Sequence, residues 1–394
     1  MQTSVASILA GLAAQLQGSG VPVWRASTSI RTLHPEVYVR NVVWREGAGC
    51  QVTEREHDIV DLPAFKESPV AKIYSGHGPI RCRLQGPGAD LSYPICRELA
   101  AAGATDYVVH PLLFQDGRLS YLSWATNVAD GFTDAHLLAI LAALPCFAVA
   151  LEIESAHFAL TSLLDVYLGA NAAKRVLAGS FKRGTGEAIR AAVWTCDLRG
   201  FTQIADVRPP TEVVSFLDRY FEAVGAAIDQ QGGEILKFVG DAMLAVFPEN
   251  EDAGSACSRA LRAAEHAIDN LHLASRTSLS SGGPALELGV ALHFGDVFYG
   301  NIGAPRRLDF TVIGAAVNEA CRVESLCKSL GVPLLITDAF RALLPRMDLH
   351  SMGRHPLRGS AQERELFTTS RFSVRPSTGS PSLGGLCPPL PSRL

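Results

Sequence analysis

The sequence predicts an α+β protein built from two folded parts with a helical connection, and three observations carry that reading. Short β-like runs between Gly/Pro turns fill residues 35–126 and are interrupted by one helix. A long apolar-striped helix begins near Thr133. Residues 191–370 then alternate strands with amphipathic helices in the order β-α-ββ-α-β. At 394 residues the chain also exceeds the roughly 100–200 residues typical of one domain.

Residues 1–20 read as an amphipathic helix stopped at Gly18-Ser19-Gly20. In the first folded part, 21–156, the runs Val37–Trp44, Ala71–Tyr74, Tyr107–Leu113 and Leu119–Ala125 read as strands, with Asp116-Gly117 a hairpin turn and Tyr93–Ala102 the interrupting helix. Thr133 suits an N-cap. From there Leu137, Leu141, Leu144, Ala148, Leu151, Ser155 and Phe158 follow a 4,3 spacing. Two arrangements satisfy it: the seam of a parallel helix pair, kinked at Pro145, or a helix packed on its own domain. Residues 157–190 read as a helical linker, and the character changes after Gly184-Thr185-Gly186.

Beyond the linker come a strand at Ala191–Cys196, a helix at Thr211–Asp229, a hairpin of Glu234–Phe238 and Met243–Phe247, and a helix at Ala253–Leu273. Strands at 285–294, 296–302 and 307–313 follow, then a helix from Ala315 to Leu330 and short terminal strands. Val213, Leu217, Phe221, Val224 and Ile228 form one stripe, as expected of a helix lying on a sheet. This order is the ferredoxin-like βαββαβ arrangement with extensions. Residues 371–394, rich in Pro, Ser and Gly, are expected to be disordered.

Several classes are disfavoured by composition. A net charge of -4 without a basic block does not suggest a nucleic-acid or anionic-membrane partner. The nine cysteines contain no C-x-x-C pair and read as reduced, mostly buried thiols of a cytoplasmic protein. No zinc spacing occurs among the histidines. The N-terminus lacks a basic region before its apolar stretch, so no secretory signal is expected. The longest apolar run, Leu137–Leu151, falls short of the roughly 20 residues of a membrane span, so none is expected.

Two acidic residues close strands. Asp197 ends the run Ala-Ala-Val-Trp-Thr-Cys, and Asp241 lies in the turn Val239-Gly240-Asp241-Ala242. Turn chemistry alone would explain an Asp there. If the strands share a sheet, however, the two carboxylates meet at one edge, and Mg²⁺ needs only one or two carboxylates plus phosphate oxygens and water. Asn318 and Arg322, four apart, share a face opposite the apolar stripe of the helix after Gly314. An arginine so placed is either a solvated charge or a phosphate-reading fork.

Four segments together resemble class III adenylyl/guanylyl cyclases: Thr195-Cys196-Asp197-Leu198-Arg199-Gly200-Phe201-Thr202; Lys237-Phe238-Val239-Gly240-Asp241-Ala242; Gly289 through Gly303; and Phe310-Thr311-Val312-Ile313-Gly314 through Asn318 to Arg322. The resemblance covers about 191–370. It implies an adenylate cyclase that converts ATP to cyclic AMP and pyrophosphate, with two Mg²⁺ or Mn²⁺ ions per site on Asp197 and Asp241. It also implies that Lys237 and Thr311 select the purine, Asn318 orients the ribose, and Arg322 opposes transition-state charge. Thr at 311 is similar to the subgroup that includes bicarbonate-responsive enzymes. Where the family often has a further phosphate-binding lysine, this chain has Arg358, which would take the triphosphate instead. The family's sites are shared across a head-to-tail homodimer.

The α+β pattern of 21–156 with its following helix looks like a GAF-type sensor, implying a small-molecule effector. The alternatives are a guanylate cyclase, which the lysine at 237 disfavours because guanylyl members typically carry Glu there, and a catalytically silent nucleotide-binding scaffold.

Overall fold

In a computed structural model, residues 4–280, 286–359 and 362–373 are described. The chain divides into two units, Met1–Ala173 and Lys174–Leu394. The tail expected to be disordered lies almost wholly outside the described residues.

The first unit is one antiparallel sheet of six strands: β1 (Arg25–Arg31), β2 (Val37–Arg45), β3 (Gly49–Glu56), β4 (Ile80–Arg83), β5 (Asp106–Leu113) and β6 (Leu119–Thr126), ordered β3-β2-β1-β6-β5-β4. Helices α1 (Val5–Gly18), α2 (Pro63–Lys66), α3 (Pro69–Tyr74), α4 (Pro94–Ala101) and α5 (Asp134–Leu168) flank it. On one face Leu9 and Leu16 of α1 and Ile140, Phe147 and Leu151 of α5 pack with Ala26, Ile30, Leu122 and Trp124. On the other, Ile73 of α3 and Leu99 of α4 pack with Cys82, Tyr107 and Tyr121. The stretch Ala71–Tyr74, expected as a strand, is helical. Ser68 caps α3 by accepting from the Ala71 N–H at 3.1 Å, and Pro69 presets its first turn. Strands β1, β3 and β4 carry too few apolar residues for alternation to announce them.

Thr133 does cap α5, its Oγ1 accepting from the His136 N–H at 3.2 Å. The helix runs 35 residues, through Pro145 and past the expected boundary at 156, to Gly169. The stripe containing Leu137, Leu144, Ala148, Leu151 and Phe158 packs into its own domain. A heptad seam and a domain-packing face share one periodicity, so the spacing alone could not separate them. The stripe left exposed is instead Leu138, Leu141, Val149, Ile153 and Leu160. The length argument against a membrane span is also corrected. The helix is long and apolar enough to cross a bilayer, with an 18-residue window of mean hydropathy 2.1, of which 17% is buried. Core helices of water-soluble proteins meet the same measure.

Helix α6 (Ala170–Leu177) leads into the second unit. There the strands are β7 (Gly186–Leu198), β8 (Glu234–Val239), β9 (Ala242–Pro248), β10 (Leu288–Ala304), β11 (Arg307–Ile313), β12 (Leu334–Thr337), β13 (Leu349–Pro356) and β14 (Glu363–Thr369). Their order is β13-β14-β12-β10-β7-β9-β8, with β11 paired to β10. The helices are α7 (Phe201–Val207), α8 (Pro210–Gln230), α9 (Ala253–Ser280), α10 (Ala315–Glu324), α11 (Cys327–Leu330) and α12 (Asp338–Arg341). The βαββαβ order is as expected.

Strand β7 is central, which explains its unbroken apolar run: Ala191 to Val193 and Trp194 are fully buried. Phe216, Tyr220, Val224 and Ile228 of α8 pack with Ala260, Ala264 and Ile268 of α9 on one sheet face, and Val323 and Cys327 pack on the other. Two expected strands merge into β10, because β7 pairs with it from Leu198↔Leu288 to Gly186↔Gly300. A Cβ at Gly300 would meet the Gly186 Cα at 2.5 Å, so this pairing needs glycine. The helix expected to reach Leu330 stops at Ser325, whose hydroxyl donates to the Arg322 carbonyl at 2.7 Å.

Candidate active site

The β-sheet register brings the two aspartates together. Cys196 pairs with Met243, so the end of β7 abuts the β8–β9 turn. Val239 pairs with Ala242, leaving Gly240-Asp241 at the tip, and Gly240 has φ 65°, a left-handed conformation that suits glycine. Burial, and then the adjoining Asp241 carboxylate, push the pKa of Asp197 up to about 6. Glu324, at the end of α10, shares this field. Its pKa is pushed to about 7, first by burial and then by Asp197 and Asp241, with Arg199 opposing. Space for Glu324 comes from Gly289, which pairs with Asp197; a Cβ there would meet the Glu324 Oε1 at 2.8 Å.

Among the described residues no group of three or more His, Cys, Asp or Glu side chains is arranged to hold a metal ion. The Asp197–Asp241 pair nonetheless fits a hard cation. Its crowded negative charge needs a counter-ion, and Mg²⁺ takes its remaining ligands from water and phosphate.

A second group of residues surrounds a cavity of about 490 Å³ lined by Lys237, Asn318, Cys321, Met243, Val312 and Val317. The Lys237 ammonium lies 3.9 Å from the Asp309 carboxylate of β11. Thr311 sits beside the lining residue Val312 but is itself buried, its Oγ1 without a hydrogen-bond partner among the described residues. Arg322 lies one turn beyond Asn318 on α10. It approaches the Arg358-Gly359 turn, where a Cβ on Gly359 would sit 3.7 Å from its Nη2. Arg358 is exposed. Thus Asp197 and Asp241 adjoin each other, Lys237 and Asn318 share a cavity, and Arg322 approaches Gly359, the residue after Arg358. Asp197, Asp241, Thr311, Arg322 and Arg358 are not on the cavity wall.

Helix α10 is held by a network that motif reading missed. Arg364 of β14 donates to both oxygens of Glu319, at 3.0 and 3.4 Å. The His293 ring lies 3.8 Å from the same carboxylate and 3.0 Å from the Thr337 hydroxyl. Burial lowers the His293 pKa, against the pull of Glu319. Glu319 lies between Asn318 and Arg322, and Glu324 two residues after Arg322; proximity to those candidates was the only sequence signal for either. Asp309 carried none.

Residues 188–369 match the model of the adenylate and guanylate cyclase catalytic domain. An adenylate cyclase of Anabaena cylindrica is 38% identical over 160 residues, covering 40% of this chain and 31% of that protein. An uncharacterized protein of Mycobacterium tuberculosis is 35% identical over 195 residues, covering 47% of this chain and 32% of that one. The chain thus spans about a third of the length of the curated relatives it matches. Among solved structures, the adenylyl cyclase CyaB from P. aeruginosa is 22% identical with a TM-score of 0.44, over 50% of this chain and 100% of that one. The guanylyl cyclase Cya2 is 27% identical with a TM-score of 0.42, over 46% and 92% respectively. Residues 188–369, within the second unit, are thus similar to adenylate and guanylate cyclase catalytic domains.

Proposed function

We propose that this chain is an adenylate cyclase that converts ATP to 3′,5′-cyclic AMP and pyrophosphate at sites shared by two copies, under control of its first unit. The observation that carries the reading is the pairing of Asp197 and Asp241 at one edge of the second unit. Lys237 and Asn318 line a cavity next to that edge, whose wall includes Thr195 and the Val239 and Ala242 that flank the Asp241 turn. One copy would supply the carboxylates and its twin the base-reading wall, in a symmetric pair with two equivalent sites. Phe238, Val239 and Ile313, which are 52%, 62% and 49% exposed beside these residues, support a partner that covers them.

In this reading the ribose 3′-oxygen attacks the α-phosphorus, its proton leaves to solvent, and the bond to pyrophosphate breaks. Asp197 and Asp241 would hold two divalent cations, Mg²⁺ or Mn²⁺, which would supply acidity at the 3′-hydroxyl and neutralise charge on the leaving phosphates. Lys237, oriented by Asp309, donates toward adenine N1, and the Thr311 hydroxyl, without a hydrogen-bond partner among the described residues, gives a second base contact. Asn318 orients the ribose. Arg322 opposes charge growing at the α-phosphate, and Arg358 beside it reaches the outer phosphates. The Glu319–Arg364 pair positions α10, hence Asn318 and Arg322.

The first unit, a sheet flanked by helices and continuous with the long helix α5, serves as a GAF-like sensor. Free thiols at Cys50, Cys82, Cys96 and Cys257 suit a cytoplasmic protein. Product analysis of the purified chain with ATP and with GTP, in Mg²⁺ and in Mn²⁺, tests the reading. Cyclic AMP from ATP is expected; preferential cyclic GMP, or no product under any condition, would overturn it.

A further inference from the structure

Strand β1 hides a polar face inside the first unit. Ala26 and Ile30 point to the core beneath α1 and α5, so Arg25, Ser27, Ser29 and Arg31 point the other way. With Asn41 of β2 and Tyr121 and Ser123 of β6 they floor a cavity of about 380 Å³, against which Tyr38, Phe65 and Tyr74 also lie. That size falls within the roughly 300–1,000 Å³ of small-molecule sites.

Most of this polar floor is satisfied internally. The Ser29 and Tyr74 hydroxyls are 3.2 Å apart, and the Tyr121 hydroxyl donates to Asn41 Oδ1 at 3.0 Å. Arg25 is the exception. It is only 8% exposed, its Nε has no hydrogen-bond partner, and it makes no ion pair among the described residues. A buried guanidinium N–H without an acceptor is costly, and burial already draws the Arg25 pKa below the ordinary value. Arg31 and Arg55, exposed at the cavity edge, also lack ion pairs among the described residues. The cavity's one carboxylate, Glu98, is exposed. Three fixed cations therefore face one acid, beside tyrosine and phenylalanine rings.

We propose that this cavity binds a small organic anion with an aromatic body, its carboxylate or phosphate head paired with Arg25 and its ring against Tyr38, Phe65 and Tyr74. The guanidinium fork suits either head, and the ligand would supply the counter-charge that the fold leaves out. The site deepens the sensor reading of the first unit, but its test reads binding, so it fails or stands separately from the cyclase activity.

The full chain is titrated with benzoate, phenyl phosphate, the neutral benzamide and inorganic phosphate, followed by calorimetry and by melting temperature. Saturable binding of benzoate or phenyl phosphate is expected, and the stronger of the two identifies the head. Benzamide and inorganic phosphate should bind far more weakly. Arg25→Met and Arg25→Gln should each weaken anion binding on the order of tenfold or more, as loss of a charged hydrogen bond implies. Without probe, the Arg25→Met chain should melt no lower than the parent, since it sheds an unpaired buried charge. Equal binding of benzamide, no binding of either aromatic anion, undiminished binding by both variants, or a markedly lower melting point for Arg25→Met would overturn the proposal.

Discussion

Replacing Asp197 with Asn should stabilise the cation-free protein at neutral pH and should sharply lower the proposed cyclase turnover. In the folded state burial and Asp241 raise the Asp197 pKa from its ordinary 3.8 to about 6. Between these values the folded state holds a proton that the unfolded chain releases, so stability falls as pH rises through this window and stays lower above it. The full shift corresponds to about 3 kcal/mol, at about 1.4 kcal/mol per tenfold change. Asp197 is only partly buried, so solvent screening reduces this to about 1–2 kcal/mol. With about 2–4 °C per kcal/mol for a domain of about 150–250 residues, Asp197→Asn should melt roughly 2–8 °C above the parent near pH 8 in EDTA. Near pH 4, where the parent is itself protonated, the gap should close. Adding Mg²⁺ near pH 8 should raise the parent and narrow the gap, because the cation supplies the missing counter-charge. Melting curves followed by fluorescence across the pH range provide the measurement. A variant that melts at or below the parent at every pH would refute the view that like charge is crowded at this edge.

Three further outcomes test the site. Asp197→Ala and Arg322→Ala should each lose on the order of 10²–10³ in turnover, and verified mixed dimers of the two should regain activity at one intact site; no regain would remove the shared-site arrangement. Arg358→Ala should raise the Michaelis constant for ATP, and an unchanged constant would exclude it from the triphosphate site. Arg364→Ala should cost about 1.5–3 kcal/mol in denaturant unfolding by stranding Glu319 and should lower kcat with it; unchanged stability and turnover would show that α10 is held by other contacts.

Read from residues alone, the second unit was legible because chemistry there is written in local segments. Asp197 at a strand end, Gly240-Asp241 in a tight turn, and Asn318 and Arg322 one helical turn apart each keep their meaning within a few neighbours. Periodicity likewise found α8 and the buried strand β7. A glycine of β10 misled it: Gly295 read as a break between two strands, whereas pairing with β7 runs unbroken from Leu288 to Gly300.

The first unit was less legible, for a matching reason. Strand β1, Arg-Ala-Ser-Thr-Ser-Ile-Arg, has only Ala26 and Ile30 as apolar signals because its opposite face lines a polar cavity, and the pairing of β2 and β6 on either side makes it a strand. Helix α5 carries apolar residues all round, so its sequence could not say which stripe packs inward. The sequence by itself determined the βαββαβ order of the second unit and singled out the candidate side chains, since both depend on short-range pattern. Only tertiary structure decided which of those side chains meet, that Glu324 joins the aspartates, that Glu319 anchors α10, and that the buried Arg25 Nε has no hydrogen-bond partner among the described residues. Those facts depend on packing between residues far apart in the chain, where burial and like charge act through space.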